Sequence, residues 1–325
     1  MKVLLLVMDE QRVILDRLYD AIRVNCADCH VRKITKSQQQ NLGRYLASMD
    51  YQRFDRIVIF TRLKRLVGQL KVLKCIPGLV FLEHDAFQNY MGFGKYRGQY
   101  SRLYQRLPWA RLLVSGFNVS RQLQAEGLDA VFVSKGYDEQ SLRNLHLERD
   151  LEVGFLGSLK SIAYSERKQV LEEIAQRMPI TVTRTASGQA YLEGLNRIRI
   201  FISADVGMGE YMIKNFEAMA CGCVLVAWNQ GAEEVAAIGF HDMHNVLLYN
   251  SIDEALEKIQ LLLGDPDLAE RIAQAGEQFA NDRYTFARVG KDLAHAIEAP
   301  MRPWPKVGAW TRLWVRLRYN LKVEA

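Results

Sequence analysis

Apolar runs of strand length alternate with stretches of helical periodicity along the whole chain, the pattern of strands covered by helices on both faces. In the first half such runs fall at 3–8, 31–34, 56–60, 79–82, 111–114 and 130–133, with helical spacing at 13–24 and 119–126. In the second half they fall at 151–156, 180–183, 198–202, 224–227 and 246–248. Helical spacing there covers 165–177, 189–197, 212–221, 252–263, 268–281 and 287–298. The order predicts an α/β protein of two Rossmann-like parallel-sheet domains, whose facing carboxyl ends leave a ligand cleft. A polar, charged stretch at 137–150 marks the boundary, so the expected units are 1–140, 141–298 and a tail, 299–325.

Length agrees with this division, since 325 residues suit two domains better than one. No run of eighteen apolar residues occurs, and the first apolar run meets Asp9 and Glu10 at once, so it reads as a buried strand. A cytoplasmic protein is expected, and five irregularly spaced cysteines suit a reducing compartment. Cys26-Ala27-Asp28-Cys29-His30 spells a haem-attachment pattern, but without an export signal these are expected to be ordinary helix-end residues. Charge is local. Residues 300–325 hold six cations against Glu324, a net +5, while the whole chain carries +6. A second basic cluster comprises Arg53, Arg56, Arg62, Lys64, Arg65, Lys71 and Lys74, opposed by Asp55. Localised basicity suits docking on an anionic surface.

The densest chemistry is Lys214-Asn215-Phe216-Glu217-Ala218-Met219-Ala220-Cys221-Gly222-Cys223, followed by the apolar run 224–227. Lys214 and Glu217 share one face of a short helix of small residues. A helix beginning near Tyr211 and Met212 would aim free N–H groups at a docked anion. A nucleotide diphosphate suits this: the dipole and Lys214 take phosphates, and Glu217 accepts from ribose hydroxyls. A core helix with a solvated Glu fits the ten residues equally well.

The stretch resembles the nucleotide-sugar motif of the GT-B fold, group 1 (retaining) glycosyltransferases, especially the spore-maturation-type branch. The likeness runs over 153–292 and includes Gly264-Asp265-Pro266-Asp267, Ala275-Gly276-Glu277 and Arg283-Tyr284-Thr285-Phe286. The resemblance implies a glycosyltransferase that takes a sugar from a nucleotide-diphosphate donor, with no cofactor and no metal. It implies donor contacts from Gly157 and Ser158 after a strand, and from Arg167, Tyr211, Met212, Lys214 and Glu217. It implies catalytic roles for His84, near the reacting carbon, and for Lys214, with Asp85 as a rival base toward an acceptor hydroxyl. Val114-Ser115-Gly116 is expected to cap and pack a helix, and Asp138 to shape the hinge. Two departures stand out. Glu210 and Glu217 have six residues between them where the family has seven, which turns a helical side chain by about 100°. The glycines of 206–210 allow compensation, so Glu210 stays a candidate for sugar contact. The glycine-rich loop after the first strand is also missing.

In the tail, Trp310, Leu313, Trp314, Leu317 and Leu321 fall on one helical face, with Arg312, Arg316 and Lys322 away from it. Such a helix suits anionic lipid, and its rival is packing on the N-terminal domain. The expected partners are therefore a nucleotide-sugar donor, a glycan or lipid-linked acceptor, and an anionic membrane met by 308–322 and the basic 53–74 patch, with no nucleic acid. The resemblance, together with the basic tail, implies a peripheral enzyme of lipopolysaccharide or surface-polysaccharide synthesis. The alternative is a non-catalytic glycan-binding or scaffold protein of the same fold.

Overall fold

The computed structural model describes residues 1–10, 14–160 and 164–323. The predicted helix start at Val13 and the Glu324 charge lie outside the described residues. Six strands, β1 (Lys2–Met8), β2 (Asp28–Ile34), β3 (Arg56–Phe60), β4 (Leu79–Glu83), β5 (Arg111–Val114) and β6 (Asp129–Phe132), form a parallel sheet in the order β2-β1-β3-β4-β5-β6. Five more, β7 (Leu151–Leu156), β8 (Thr181–Thr183), β9 (Ile198–Ser203), β10 (Val224–Trp228) and β11 (Leu247–Tyr249), form a second in the order β11-β10-β9-β7-β8. In each sheet the first strand lies between the second and third. The order therefore reverses beside β1 and beside β7, and ligands of open α/β sheets bind at that carboxyl-end crevice.

The central strands are buried on both faces, so they read as plain apolar runs. Val3, Leu5 and Val7 of β1 enter one core while Leu4 and Leu6 enter another on the opposite face. The edge strand β2 behaves differently. It begins at Asp28, three residues before its apolar run, because Lys2 to Met8 of β1 pair with Asp28 to Ile34 in unbroken register. Cys29 consequently sits in a strand, which corrects the helix-end expectation, while Cys26 does end the helix Asp16–Asn25.

The last helix before the tail, Phe286–Glu298, crosses to the first domain and packs on the helix Asp16–Asn25. Contact is close enough that a Cβ on Gly290 would lie 2.4 Å from the Ala21 Cβ. Arg111 donates to the carbonyls of Ala296 (2.9 Å), Ala299 (3.1 Å) and Pro300 (2.6 Å), and Arg56 to that of Ile297 (3.2 Å). Two guanidinium groups thus meet the negative end of the helix dipole. Arg56, counted in the basic patch, serves the fold instead of an outside partner.

The tail returns along the first domain. Trp304 Nε1 donates to the Lys74 carbonyl at 3.0 Å, and the helix Ala309–Tyr319 follows. Val315 of that helix is buried in the first domain's core. Leu321 corrects the predicted face: Asn320 ends the helix in the left-handed region (φ 58°), and Leu321 turns inward and is buried. Trp310, Leu313, Trp314 and Leu317 remain exposed, Trp310 at 85% and Leu317 at 78%. Among the described residues no helix is long and apolar enough to cross a membrane.

Candidate functional site

The helix Ile213–Ala220 begins one residue after its predicted start and carries no side-chain cap at Met212. Its other end closes in a Schellman turn, with Gly222 N donating to Met219 O (2.9 Å) and Cys223 N to Ala218 O (3.0 Å). That turn needs Gly222 at φ +76°. It delivers the chain straight into β10, so the helix N-terminus is held at the carboxyl end of the second sheet.

Lys214 and Glu217 meet there through a third residue. Tyr191, on the helix Gln189–Arg197, donates its hydroxyl to Glu217 Oε2 at 2.6 Å and accepts from Lys214 Nζ at 3.0 Å. The ammonium also lies 4.6 Å from the Tyr191 ring centroid. Burial pulls the Lys214 pKa down, Glu217 holds it up, and the Arg167 charge adds to the depression. Gly157, the residue after β7, stands beside the lysine: a Cβ there would lie 2.9 Å from Lys214 Cε. The glycine therefore leaves room for the lysine side chain to lie against the end of β7. Ser158 follows it, its hydroxyl 3.4 Å from Lys160 N.

Asp205, just past β9, organises the neighbouring loop. It accepts from Ser203 Oγ (3.1 Å), Met212 N (3.2 Å) and Asn215 Nδ2 (3.0 Å), and pairs with Arg167. Gln230 braces the same loop, accepting from Gly209 N (3.1 Å) and donating to Asp205 O (2.7 Å). Arg167, expected to contact the donor, is 3% exposed and spends its charge on Asp205. Tyr211 is buried, and its hydroxyl accepts from Gln230 N at 3.4 Å. Both residues shape the loop that leads into the site helix.

Across the cleft, β4 ends in Glu83 and is followed by His84 and Asp85. The His84 ring stacks edge-on against Phe60, the last residue of β3, at 5.1 Å. Burial, aided by the Lys135 charge, pushes His84 down to about 3, so the imidazole is neutral at physiological pH. Asp85 is exposed. Glu83 is buried, accepts from the Tyr104 hydroxyl, and is pushed up to about 8 by burial.

Glu210 joins the two sides. Its Oε1 lies 2.6 Å from Lys135 Nζ, and its Oε2 accepts from Ser115 Oγ at 2.8 Å. Burial raises the Glu210 pKa while Lys135 and Ser115 hold it down. The carboxylate proposed for sugar contact is thus 1% exposed and already bonded at both oxygens. Ser115, expected to cap a helix, bonds Glu210 instead. The helix that follows, Phe117–Ala125, takes its N-terminal partner from the second domain, with Asn118 N donating to Glu234 Oε2 at 2.7 Å. Asp138 ion-pairs with Arg17 at 2.9 Å where the domains join.

Four residues of this region escaped sequence reasoning: Tyr191, Asp205, Lys135 and Glu83. Asp205 and Glu83 carried one usable signal, a lone acid directly at the end of a buried strand. Tyr191 and Lys135 carried none. The Asp-x-Asp spacing at Asp265-Pro266-Asp267 is a helix start, where Asp265 accepts from Leu268 N at 2.9 Å.

Residues 139–295 match a family model described as Glycosyl transferase-like. No curated protein matches in sequence. The fold is that of GT-B glycosyltransferase structures. Sucrose-phosphate synthase from Thermosynechococcus elongatus superposes with a TM-score of 0.67 at 10% identity, covering 91% of this chain and 98% of that one. HepE (Alr3699) from Anabaena, solved with UDP and glucose, gives 0.69 at 14% identity, covering 92% and 100%. The DNA-modifying enzyme β-glucosyltransferase, studied with and without uridine diphosphoglucose, gives 0.58 at 11%, covering 92% and 100%.

Proposed function

We propose that this chain is a glycosyltransferase that moves a sugar, of the hexosyl type, from a nucleotide diphosphate to a glycan or lipid-linked glycan. The observation that carries the reading is the Lys214–Tyr191–Glu217 chain of hydrogen bonds beside Gly157, at the switch point of the second sheet. The match to the Glycosyl transferase-like family over 139–295 and the UDP-sugar complexes of structural neighbours support it. Glu217 accepts from the ribose hydroxyls, and Lys214 with the uncapped helix N-terminus takes the diphosphate.

The chemistry follows from where charge develops. The bond from the anomeric carbon to the phosphate oxygen breaks, and its electrons go to the diphosphate. Lys214 and the helix dipole meet that charge without a metal. The acceptor oxygen bonds the same carbon and passes its proton to the leaving phosphate, which retains the anomeric configuration. Neutral His84 offers the sugar a polar contact and no positive charge. The acceptor belongs to lipopolysaccharide or surface-polysaccharide synthesis, and the protein works peripherally on the inner face of the cytoplasmic membrane. The exposed face Trp310, Leu313, Trp314 and Leu317, with Lys71 4.2 Å from the Trp314 ring centroid, supports that placement.

The test is calorimetry of the purified chain against UDP, GDP, dTDP, ADP and CMP, with Glu217→Ala alongside. One nucleotide should bind, and the variant should lose it. Binding by none would leave the non-catalytic scaffold reading in its place.

A further inference from the structure

We infer that Tyr191 is the positioning residue that keeps Lys214 and Glu217 apart and thereby sets selectivity for a ribose diphosphate, an inference that rests on the donor site proposed above. Three observations carry it. Lys214 and Glu217 stand three residues apart on one helix, the spacing at which opposite charges ordinarily pair. Here they are joined through the Tyr191 hydroxyl at 3.0 and 2.6 Å, not to each other. And Tyr191 reaches them from a separate helix whose ring also underlies the ammonium, at 4.6 Å.

The proton inventory gives the consequence. A phenol has one hydrogen, and the short contact to a carboxylate uses it; its oxygen then accepts from the ammonium. Glu217 commits Oε2 to Tyr191, and Oε1 takes no hydrogen bond within the chain among the described residues. One carboxylate oxygen and two ammonium hydrogens are thus kept for a ligand. Without the hydroxyl, the lysine swings onto the glutamate and each quenches the other. Ribose hydroxyls and the distal phosphate then lose their partners together.

The experiment replaces Tyr191 by Phe, which retains the ring and its packing. Calorimetry then compares each nucleoside diphosphate with its 2′-deoxy analogue and with its monophosphate, using the uridine, guanosine and adenosine series. In the unaltered chain one diphosphate should exceed its 2′-deoxy analogue by about tenfold, the scale of a hydrogen bond to a charged group. Tyr191→Phe should weaken that diphosphate by about 100-fold, because both contacts go, and its 2′-deoxy analogue and its monophosphate by about tenfold each, because each loses one, so both selectivity ratios fall toward one. A merely structural tyrosine would weaken all three ligands by one factor and preserve both ratios, which overturns the inference alone. An unaltered chain that binds no nucleotide overturns the donor site and this inference with it.

Discussion

Lys135 and Glu210 form an ion pair at 2.6 Å with side chains only 7% and 1% exposed, one reaching from the end of the first domain and the other from the loop before the site helix. Taking two charges out of water costs several kcal/mol each, and the pair is tolerable because each has the other, with Ser115 completing the carboxylate. Glu210→Ala strands the ammonium and should cost about 3–5 kcal/mol of unfolding free energy. The double variant Lys135→Met/Glu210→Leu should recover most of that loss. Urea denaturation midpoints of the three proteins check this, and a double variant as unstable as the single one would refute the pairing argument.

Glu83 sets a pH dependence with a definite sign. Its folded pKa of about 8 lies above the ordinary 4.5, so the folded state holds this proton more tightly than the unfolded chain. The resulting stability is complete below about 4.5 and is lost as pH rises through about 8. Glu83→Gln keeps an acceptor for Tyr104 and removes the titration. Melting temperature of the variant relative to the parent should therefore climb between those limits. Parallel curves would show that burial does not perturb this carboxyl.

The tail helix separates packing from surface chemistry. Trp310→Ser/Leu317→Ser should abolish cosedimentation with phosphatidylglycerol vesicles and leave melting nearly unchanged, because both side chains face water. Val315→Asp buries a charge in the first domain and should lower the melting temperature clearly. Binding by the parent should weaken with salt and be absent on pure phosphatidylcholine. A parent protein that ignores both vesicles ends the membrane proposal.

On the proposed donor site, Lys214 and a helix N-terminus would take the phosphates with no bridging cation. Chelation with EDTA should then leave nucleotide affinity unchanged, whereas Lys214→Ala should lower it by about 10–100-fold. Affinity that vanishes on chelation and returns with a divalent ion would reassign the phosphate charge to a metal.

Helices at Ser165–Arg177 and Gln189–Arg197, and strands at Arg56–Phe60, Arg111–Val114 and Leu151–Leu156, coincide with the spans read from periodicity. Each buries apolar residues at its own repeat, so the signal is contained within the element. β2 did not announce its start because an edge strand buries too little to need an apolar residue at Asp28 or His30. Short helices such as Lys36–Gln40 and Leu70–Leu73 are one turn long and carry no period to detect.

The same division runs through the site. The chain alone settles that Lys214 and Glu217 share a helical face, that Gly222 ends the helix, and that acids or glycines follow buried strands, because these depend on neighbours a few residues away. Folding decides what each charge meets. Tyr191 reaches Glu217 across 26 residues, Arg167 reaches Asp205 across 38, and Lys135 reaches Glu210 across 75. A buried charge must find a partner or neutralise. Which partner it finds depends on how the sheets and their crossing helices stack, which no local spacing records.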